Sequence, residues 1–356
     1  MKMRMLRVVP SLVGGGLIIL AVAQTGPGPL PVGTHRYVLQ VPSGLPAPPL
    51  PPGNPLTQEG VALGQRLFHE VRLSGNNTQS CASCHRADVA LSDAGNELST
   101  GIDGLKGTRN APALFNLAYQ GSYFWDGRAP SLRVQALAPI QNPVEMHQTL
   151  ASAIAKLSAD PTYFGQFAKA FGSPGVTSQR IGLALEQFMT TVFAGDSKFD
   201  KAQRGQAVLT PQEQRGFQVF RTPFNPKQGQ FGGDCARCHG GPLFSDFQFR
   251  NNGLDSVPTD FGRMLVTGLV TDKAKFKTPS LRNVAVSGPY MHDGRYTTLE
   301  EVAEHYSNDI APSATLDPGL ARENGGVHLS ASDQAALVAF MKTLTDSRFV
   351  GASPAP

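Results

Sequence analysis

The sequence predicts a mainly α-helical protein built from two similar halves that are connected by long loops. Three observations support this fold class. Helical spacing of apolar residues recurs along the chain, sustained strand alternation is missing, and one eighteen-residue block occurs twice without gaps. The 356 residues are enough for two domains of ordinary size, and 40% hydrophobic with 16% charged residues is typical of a globular protein.

The N-terminus has the pattern of a secretory signal peptide over residues 1–23. Three basic residues precede an apolar run that ends in Ala21-Val22-Ala23, which is suited to cleavage before Gln24. An uncleaved membrane anchor is the alternative, which Pro10 within the apolar run disfavours. Removal of the three basic residues takes the formal net charge from +4 to +1, so no electrostatic case for binding nucleic acid remains.

A Pro/Gly-rich leader follows over residues 24–55, with Pro48-Pro49-Leu50-Pro51-Pro52 at its centre. This composition excludes helix and central strand and predicts an extended, partly polyproline II segment. We interpret it as a plain tether rather than a ligand for a proline-recognising partner.

Helices are predicted at three places in the first half of the chain. Thr57 is a candidate N-cap, with Val61, Leu67 and Phe68 on one face of the helix it starts. A second helix carries Leu150, Ile154 and Leu157 and is ended by Asp160-Pro161. A third carries the apolar residues Ile181, Leu185, Phe188 and Val192 on one face.

The second half has its own helix signals. Thr210-Pro211-Gln212-Glu213 and Thr298-Leu299-Glu300-Glu301 are capping boxes, and the last helix holds Leu337, Phe340, Met341 and Leu344. Residues 195–205 are the predicted boundary between the two domains. The predicted division is an N-terminal domain at 56–200, a C-terminal domain at 201–350 and a tail at 351–356.

All four cysteines lie in two C-x-x-C-H pentapeptides, residues 81–85 and 235–239. In this motif both thiols form thioethers with haem vinyl groups, and the histidine supplies the proximal nitrogen to iron. A zinc site without haem is the alternative. The predicted signal peptide agrees with the haem interpretation, because c-type haem is attached outside the bacterial cytoplasm. We therefore predict a periplasmic protein. The predicted cofactor-binding residues are Cys81, Cys84, His85, Cys235, Cys238 and His239.

An internal repeat distinguishes the two haem sites. Residues 111–128 align without gaps on residues 278–295, with nine identities. If the alignment continues, Pro139 occupies the position of Tyr306. A tyrosine oxygen can bind ferric iron and a proline ring cannot, so the second haem can be six-coordinate while the first has an open distal face. The alternative for Tyr306 is a buried core tyrosine with a hydrogen-bonded hydroxyl.

Candidate catalytic residues lie near the predicted open iron. Cleavage of peroxide there needs a group that takes a proton from the near oxygen and returns it to the leaving one, as a carboxylate in an apolar pocket can do. Glu145 is the candidate unless it is a solvated surface carboxylate, and His147, which could be an ordinary surface histidine, is the runner-up. Gln135 could orient a distal water. Trp125, the only tryptophan, could be a relay between the haems or a plain core aromatic.

The sequence resembles the bacterial di-haem cytochrome c peroxidase/MauG family from residue 54 to residue 349. The resemblance implies two cytochrome c-like α-domains related by a pseudo-twofold axis, two covalently bound haem c groups and one calcium ion between them. The matching segments are residues 64–68, both C-x-x-C-H motifs, 124–128, 142–146, 276–283 and 288–294.

The resemblance also implies a role for each matching residue. His85 is the proximal ligand of the N-terminal, peroxide-binding haem, and His239 and Tyr306 are the ligands of the C-terminal haem. The implied catalytic residues are the inter-haem Trp125, the distal Gln135, the distal Pro139 and the acid-base Glu145. The implied calcium ligands are the side chain of Asn110 and the backbone carbonyls of Ser287 and Pro289.

Two departures place the sequence in the MauG-like, MbnH-like subgroup that the resemblance defines. Ordinary peroxidases of the family have methionine at the position of Tyr306, and most close the N-terminal haem with a histidine from the loop that here spans residues 86–107. That loop has no histidine and no methionine. A phenolate stabilises ferric and ferryl iron, so two oxidising equivalents could be stored in a bis-Fe(IV)-like state.

The expected function is therefore that of a periplasmic enzyme that uses hydrogen peroxide to oxidise an aromatic residue, foremost a tryptophan, of a partner protein. The alternative is a peroxidase that reduces hydrogen peroxide with electrons from a small cytochrome c or cupredoxin. A non-catalytic di-haem electron carrier is the third hypothesis, disfavoured because a carrier needs neither an open haem nor a glutamate above it. No nucleic acid is expected as a partner, and no membrane once the signal peptide is cleaved.

Overall fold

The computed structural model describes residues 28–322 and 324–351. The predicted signal peptide, the first residues of the leader and the tail beyond residue 351 lie outside the described residues. Twelve α-helices, six short 3₁₀ helices and four two-residue strands are found in the described part of the chain, so the prediction of a mainly α protein is confirmed. No helix in the two described ranges is long and apolar enough to cross a membrane.

The first half contains six α-helices and no strand ladder within the described ranges. Three of these helices, α2, α3 and α5, were not predicted from the sequence. The helices are α1 Gln58–Phe68, α2 Cys81–Cys84, α3 Leu132–Gln141, α4 Leu150–Ser158, α5 Pro161–Phe171 and α6 Ser178–Thr190.

The second half contains the remaining helices and two small antiparallel ladders, in which β1 pairs with β2 and β3 with β4. The helices are α7 Lys198–Gln203, α8 Pro211–Arg221, α9 Ala236–His239, α10 Met264–Thr267, α11 Leu299–Asn308 and α12 Ala331–Lys342. The strands are β1 Phe224–Asn225, β2 Gln230–Phe231, β3 Phe249–Arg250 and β4 Phe276–Lys277.

The predicted helix starts are confirmed where a capping residue marks them. The Thr57 side chain accepts a hydrogen bond from the amide of Gly60 and so caps α1. Thr210 and Thr298 form the predicted capping boxes at the starts of α8 and α11. Pro161 ends the predicted second helix, but it is also the first residue of α5, where a missing amide proton costs nothing.

Two equivalent helix pairs form the centres of two separate hydrophobic cores. In the first core α1 packs on α6, and in the second α8 packs on α12. Gly64 of α1 touches the backbone of α6 so closely that a Cβ would overlap the carbonyl oxygen of Ala184. Gly216 of α8 has the same relation to Ala336 of α12. Close approach of the two backbones is therefore a feature of both halves, as expected from a duplication.

The internal repeat has the same backbone conformation in both copies. Asn116 and its equivalent Asn283 both have left-handed backbone angles, with φ of 55° and 56°. The two copies also exchange matching hydrogen bonds. The Asn110 amide donates to the carbonyl of His292 at 2.8 Å, and the Lys277 amide donates to the carbonyl of Trp125 at 2.8 Å. These four residues are equivalent in pairs, so the contact between the halves is itself nearly symmetric.

The described part of the leader has no helix or paired strand, as predicted, but it does not behave as a plain tether. The Tyr119 hydroxyl donates to the carbonyl of Pro46 at 2.6 Å, and the Arg133 guanidinium donates to the carbonyl of Pro52 at 2.9 Å. The buried Asn54 side chain donates to the carbonyl of Leu183 at 3.0 Å. The tether interpretation was wrong because bonds to backbone carbonyls hold the segment against the first half.

Candidate functional site

A cavity of about 930 Å³ is shared by the two halves of the chain. Its lining is mostly apolar, and residues of both C-x-x-C-H motifs contribute to it. A mostly apolar cavity with a few polar groups is the usual form of a cofactor site. The sequence-predicted residues that line it are Cys81, Cys84, His85, Asn110, Trp125, Gln135, Pro139, Glu145, Cys235, Cys238, His239, Ser287, Pro289 and Tyr306.

The two motif histidines are oriented in the same way. His85 donates through Nδ1 to the carbonyl of Leu91 at 3.0 Å, and His239 donates through Nδ1 to the carbonyl of Phe244 at 3.1 Å. Because Nδ1 is engaged, Nε2 is the nitrogen left to bind iron. Burial lowers the pKa of both imidazoles, which favours the neutral form that a metal needs.

The cysteines have the state that covalent haem attachment needs. All four are free thiols, and burial raises the pKa of Cys81 and of Cys235 to about 12. The zinc alternative finds no support, since no three His, Cys, Asp or Glu side chains within the described ranges are grouped closely enough to hold a metal ion. The shared cavity, the thiols that line it and the orientation of both imidazoles therefore fit two haem groups.

Tyr306 brings a phenol oxygen to the second half of the cavity from the last turn of α11. Burial raises the pKa of the Tyr306 phenol to about 12, and a hydrogen bond from Asn252 opposes that shift. The distance from the Asn252 amide nitrogen to the phenol oxygen is 3.2 Å. A cation bound at this oxygen would favour loss of the phenol proton.

The predicted distal residues of the first half lie on α3 and in the loop after it, and all of them line the cavity. Gln135 and Pro139 are four residues apart and so share a face of that helix, and Glu145 lies in the loop that follows. The Asn142 side chain donates to a Glu145 carboxylate oxygen at 2.7 Å. Burial raises the pKa of Glu145, while Asn142 and Arg128 act in the opposite direction.

The runner-up His147 has a different environment. Its side chain is 57% exposed, pairs with the exposed Asp103, and does not contribute to the cavity lining. The structure therefore places Glu145, and not His147, among the residues that line the cavity.

Trp125 lies where the two halves meet and is held from both sides. Its indole nitrogen donates to the carbonyl of Asn110 at 2.9 Å, and its own carbonyl accepts from the amide of Lys277. The indole lines the shared cavity together with both C-x-x-C-H motifs.

The three residues predicted to bind calcium also line the shared cavity. The Asn110 side-chain nitrogen donates to the carbonyls of Asn96 at 3.3 Å and Glu97 at 3.0 Å. Its amide oxygen is thus the atom that could face a cation, which suits a hard ion such as calcium. The calcium site stays a prediction.

Sequence reasoning missed Lys277 and Asn252 as residues of this site. The buried Lys277 ammonium donates to the side chain of Gln120 and the carbonyl of Ser122, both at 2.5 Å, and burial lowers its pKa to about 8. Lys277 stands at the position of Asn110, one residue before the repeat, and that difference was a signal in the sequence. Asn252 lies outside the repeat, so nothing in the sequence singled it out.

Comparisons with known proteins point to one family. Residues 58–208 match the sequence model of the di-haem cytochrome c peroxidase family. The methylamine utilization protein MauG of Methylophilus methylotrophus is 34% identical over 297 residues, which cover 83% of this chain and 85% of that protein. Cytochrome c551 peroxidase of Nitrosomonas europaea is 33% identical over 305 residues, which cover 84% of each chain.

A solved structure with a similar fold is described as a MauG-like protein associated with microbial copper homeostasis. It superposes with a TM-score of 0.79 at 34% identity, and the match covers 89% of this chain and 97% of that one. The likeness extends over both halves of the described chain.

Proposed function

Because the chain belongs to the di-haem cytochrome c peroxidase/MauG family, we propose that it is a periplasmic enzyme that uses hydrogen peroxide to oxidise an aromatic side chain, foremost a tryptophan, of a partner protein. The family is one of oxidoreductases and implies two haem c groups. One observation carries the finer proposal: Tyr306 lines the cavity at the helix position where the first half has Pro139.

Each domain would hold one haem. Cys81, Cys84 and His85 would hold the first, and the second would be held by Cys235, Cys238, His239 and Tyr306. When bound, the two haems would supply the redox chemistry, because their irons can take up the oxidising equivalents of peroxide. Residues 195–205 would form the boundary between the two domains. Asn110, Ser287 and Pro289 would bind a calcium ion that lies between the two haems.

Pro139 and Gln135 of α3 and Glu145 after it would each have a separate role in the reaction with peroxide. Pro139 offers no ligand atom, so it leaves space for peroxide. Glu145 would take a proton from one peroxide oxygen and give it to the other, a task helped by the burial that raises its pKa. Gln135, which lines the same cavity, would orient the water or the peroxide by hydrogen bonding.

Trp125 would pass electrons between the two halves. Its indole N–H is bonded to the Asn110 carbonyl, which is a hydrogen-bond acceptor but not a base that could remove the proton. Loss of an electron from the indole would therefore leave its proton in place. The partner's aromatic side chain would be the final electron donor.

The second candidate function is a peroxidase that takes electrons from a small cytochrome c or cupredoxin. It is favoured by the 33% identity to cytochrome c551 peroxidase over 84% of the chain. Tyr306 argues against it, because an anionic oxygen ligand lowers a haem potential and makes that haem a poor acceptor for such a donor.

Mass spectrometry can separate these functions. The protein with both haems is mixed with hydrogen peroxide and the product of the neighbouring gene, and intact partner mass is followed. An added oxygen on one aromatic residue is expected, and Glu145→Gln should suppress it. Fast turnover with reduced cytochrome c and an unmodified partner would establish the second candidate instead. Failure of the diferric protein to react with peroxide would favour an electron carrier.

A further inference from the structure

Asn252 donates a hydrogen bond to the Tyr306 phenol oxygen, a contact that the proposed function does not use. The two atoms are 3.2 Å apart. Asn252 lies two residues after β3 and is far from α11 in the sequence, so the contact is made by the tertiary fold. It lines the shared cavity together with Tyr306.

The fold fixes the position of Asn252 through the preceding residue and through its own carbonyl. The side chain of the preceding residue, the buried Asn251, donates to the hydroxyls of Ser313 at 3.0 Å and Thr315 at 2.9 Å. The carbonyl of Asn252 accepts a hydrogen bond from Nε2 of His305 at 3.1 Å. His305 is 1% exposed and precedes Tyr306 on α11. A closed ring of bonds therefore links Asn252 to the tyrosine through both backbone and side chain.

The surroundings also determine which end of the Asn252 amide faces Tyr306. The amide nitrogen is 3.4 Å from the sulfur of Met291 and carries a second proton that can point there. The opposite orientation would place the amide oxygen against that sulfur and against a phenol oxygen that has no proton when it binds iron. Two acceptors facing one NH₂ group are the complementary arrangement.

We infer that Asn252 is a positioning residue that sets the reduction potential of the C-terminal haem through Tyr306. The inference rests on the proposed function, in which Tyr306 is the axial ligand. A hydrogen bond donated to a ligand oxygen fixes its direction and withdraws negative charge from it. Less charge then reaches the iron, so its reduction potential lies above that of an unassisted phenolate ligand.

The test measures the potential of each haem by spectroelectrochemistry of the protein with both haems attached. Asn252→Leu keeps a side chain of similar size and removes the donor, so the potential of the C-terminal haem should fall. Asn252→Asp, which is nearly isosteric, places a carboxylate near the ligand oxygen and should lower it further. Asn252→Gln keeps an amide donor, so its C-terminal haem should have a potential between those of Asn252→Leu and the wild type. The potential of the N-terminal haem should stay unchanged in all three variants.

Two further variants serve as controls. Asn308→Ala removes another side-chain amide from α11, one that bonds to the exposed Glu304, and should leave both potentials unchanged. Tyr306→Phe tests the ligand itself. If it leaves the C-terminal haem unaltered, the ligand assignment and the inference both fail. If it alters that haem while Asn252→Leu and Asn252→Asp keep the wild-type potential, the ligand stands and the role of Asn252 is overturned.

Discussion

Pro139 and Tyr306 occupy the same position, the eighth of ten residues, in the equivalent helices α3 and α11. The N-caps of the two helices, Ser131 and Thr298, are equivalent as well. One copy of the repeat thus has a tyrosine in the cavity lining where the other has a proline. This difference at one helix position makes two otherwise similar haem sites chemically unlike.

Tyr306→Phe should vacate one coordination position of the C-terminal haem. The wild-type ferric protein should show one high-spin and one low-spin EPR signal, because the proposed ligation gives only one iron a sixth ligand from the chain. In the variant, the low-spin signal should be replaced by a second high-spin signal.

Tyr296→Phe is the matched control for this change. Tyr296 is another tyrosine near α11, and its hydroxyl lies 3.4 Å from Nδ1 of His305, but it does not line the cavity. Its loss should leave both EPR signals in place. A low-spin signal that persists in Tyr306→Phe would contradict the assignment of this ligand.

Glu145→Gln should slow the reaction with hydrogen peroxide by about 10²–10⁴-fold, the usual contribution of a general acid-base group. The proton transfer starts from the carboxylate, and burial raises the pKa of Glu145 above the ordinary value of 4.5. The wild-type rate should therefore fall as the pH is lowered through that raised pKa. Stopped-flow absorbance of the haem bands measures the rate at each pH.

His147→Gln separates Glu145 from the runner-up. The His147 side chain pairs with Asp103 outside the cavity, so its replacement should leave both the rate and the pH profile unchanged. A large loss of rate in His147→Gln, with Glu145→Gln unaffected, would exchange the two roles.

Local signals explain what the sequence predicted. Thr57, Thr210 and Thr298 could be recognised as helix starts because a cap depends on residues within one turn. The relation of Pro139 to Tyr306 was available because the repeat continues without a gap, so chain position carries over to spatial position.

The elements that the sequence did not reveal depend on tertiary structure or on conflicting local signals. α3 has apolar residues around most of its circumference and a proline near its end, so its periodicity is weak. The contact of Asn252 with Tyr306 joins residues 54 positions apart and needs the folded chain. The leader was taken as a tether because its composition is that of a linker, and its anchors are carbonyl groups that no sequence pattern marks.

Gly216→Ala should destabilise the second half of the chain, because the added methyl group would overlap the carbonyl oxygen of Ala336. Backbone at this contact cannot turn away as a side chain could, so we expect a cost of about 1–3 kcal/mol or more. Gly64→Ala should have the same effect against Ala184 in the other half. Thermal unfolding followed by circular dichroism measures both losses.

Gly165→Ala is the matched control for the two substitutions. Gly165 lies inside α5, and a Cβ there would meet no atom within 4 Å. Alanine at such an open helix position should stabilise the protein by about 0.4–1 kcal/mol through lower entropy of the unfolded chain. If Gly216→Ala raised the melting temperature as Gly165→Ala does, the close contact of α8 with α12 would be wrong.

Asp346 should make the stability of the protein depend on pH in the acid range. Its buried carboxylate accepts bonds from the amides of Gly195 at 3.1 Å and Asp196 at 3.0 Å and pairs with Arg348 at 2.6 Å. Burial alone would raise the pKa of Asp346, but these bonds lower it from 3.8 to about 2. A lowered pKa stabilises the fold above the unfolded-state value, so the contribution is complete above about pH 4 and is lost as the pH falls toward 2.

The comparison of wild type with Asp346→Asn isolates this contribution, which we expect to be about 1–2 kcal/mol at neutral pH. The difference in free energy of unfolding, measured with urea, should be largest above pH 4 and should shrink as the pH falls, because protonation removes the same interaction from the wild type. Asp88→Asn is the control, since Asp88 lies at the surface in an exposed pair with Arg86 and should have little effect. A stability difference between wild type and Asp346→Asn that stays constant from pH 6 to pH 2 would contradict the lowered pKa.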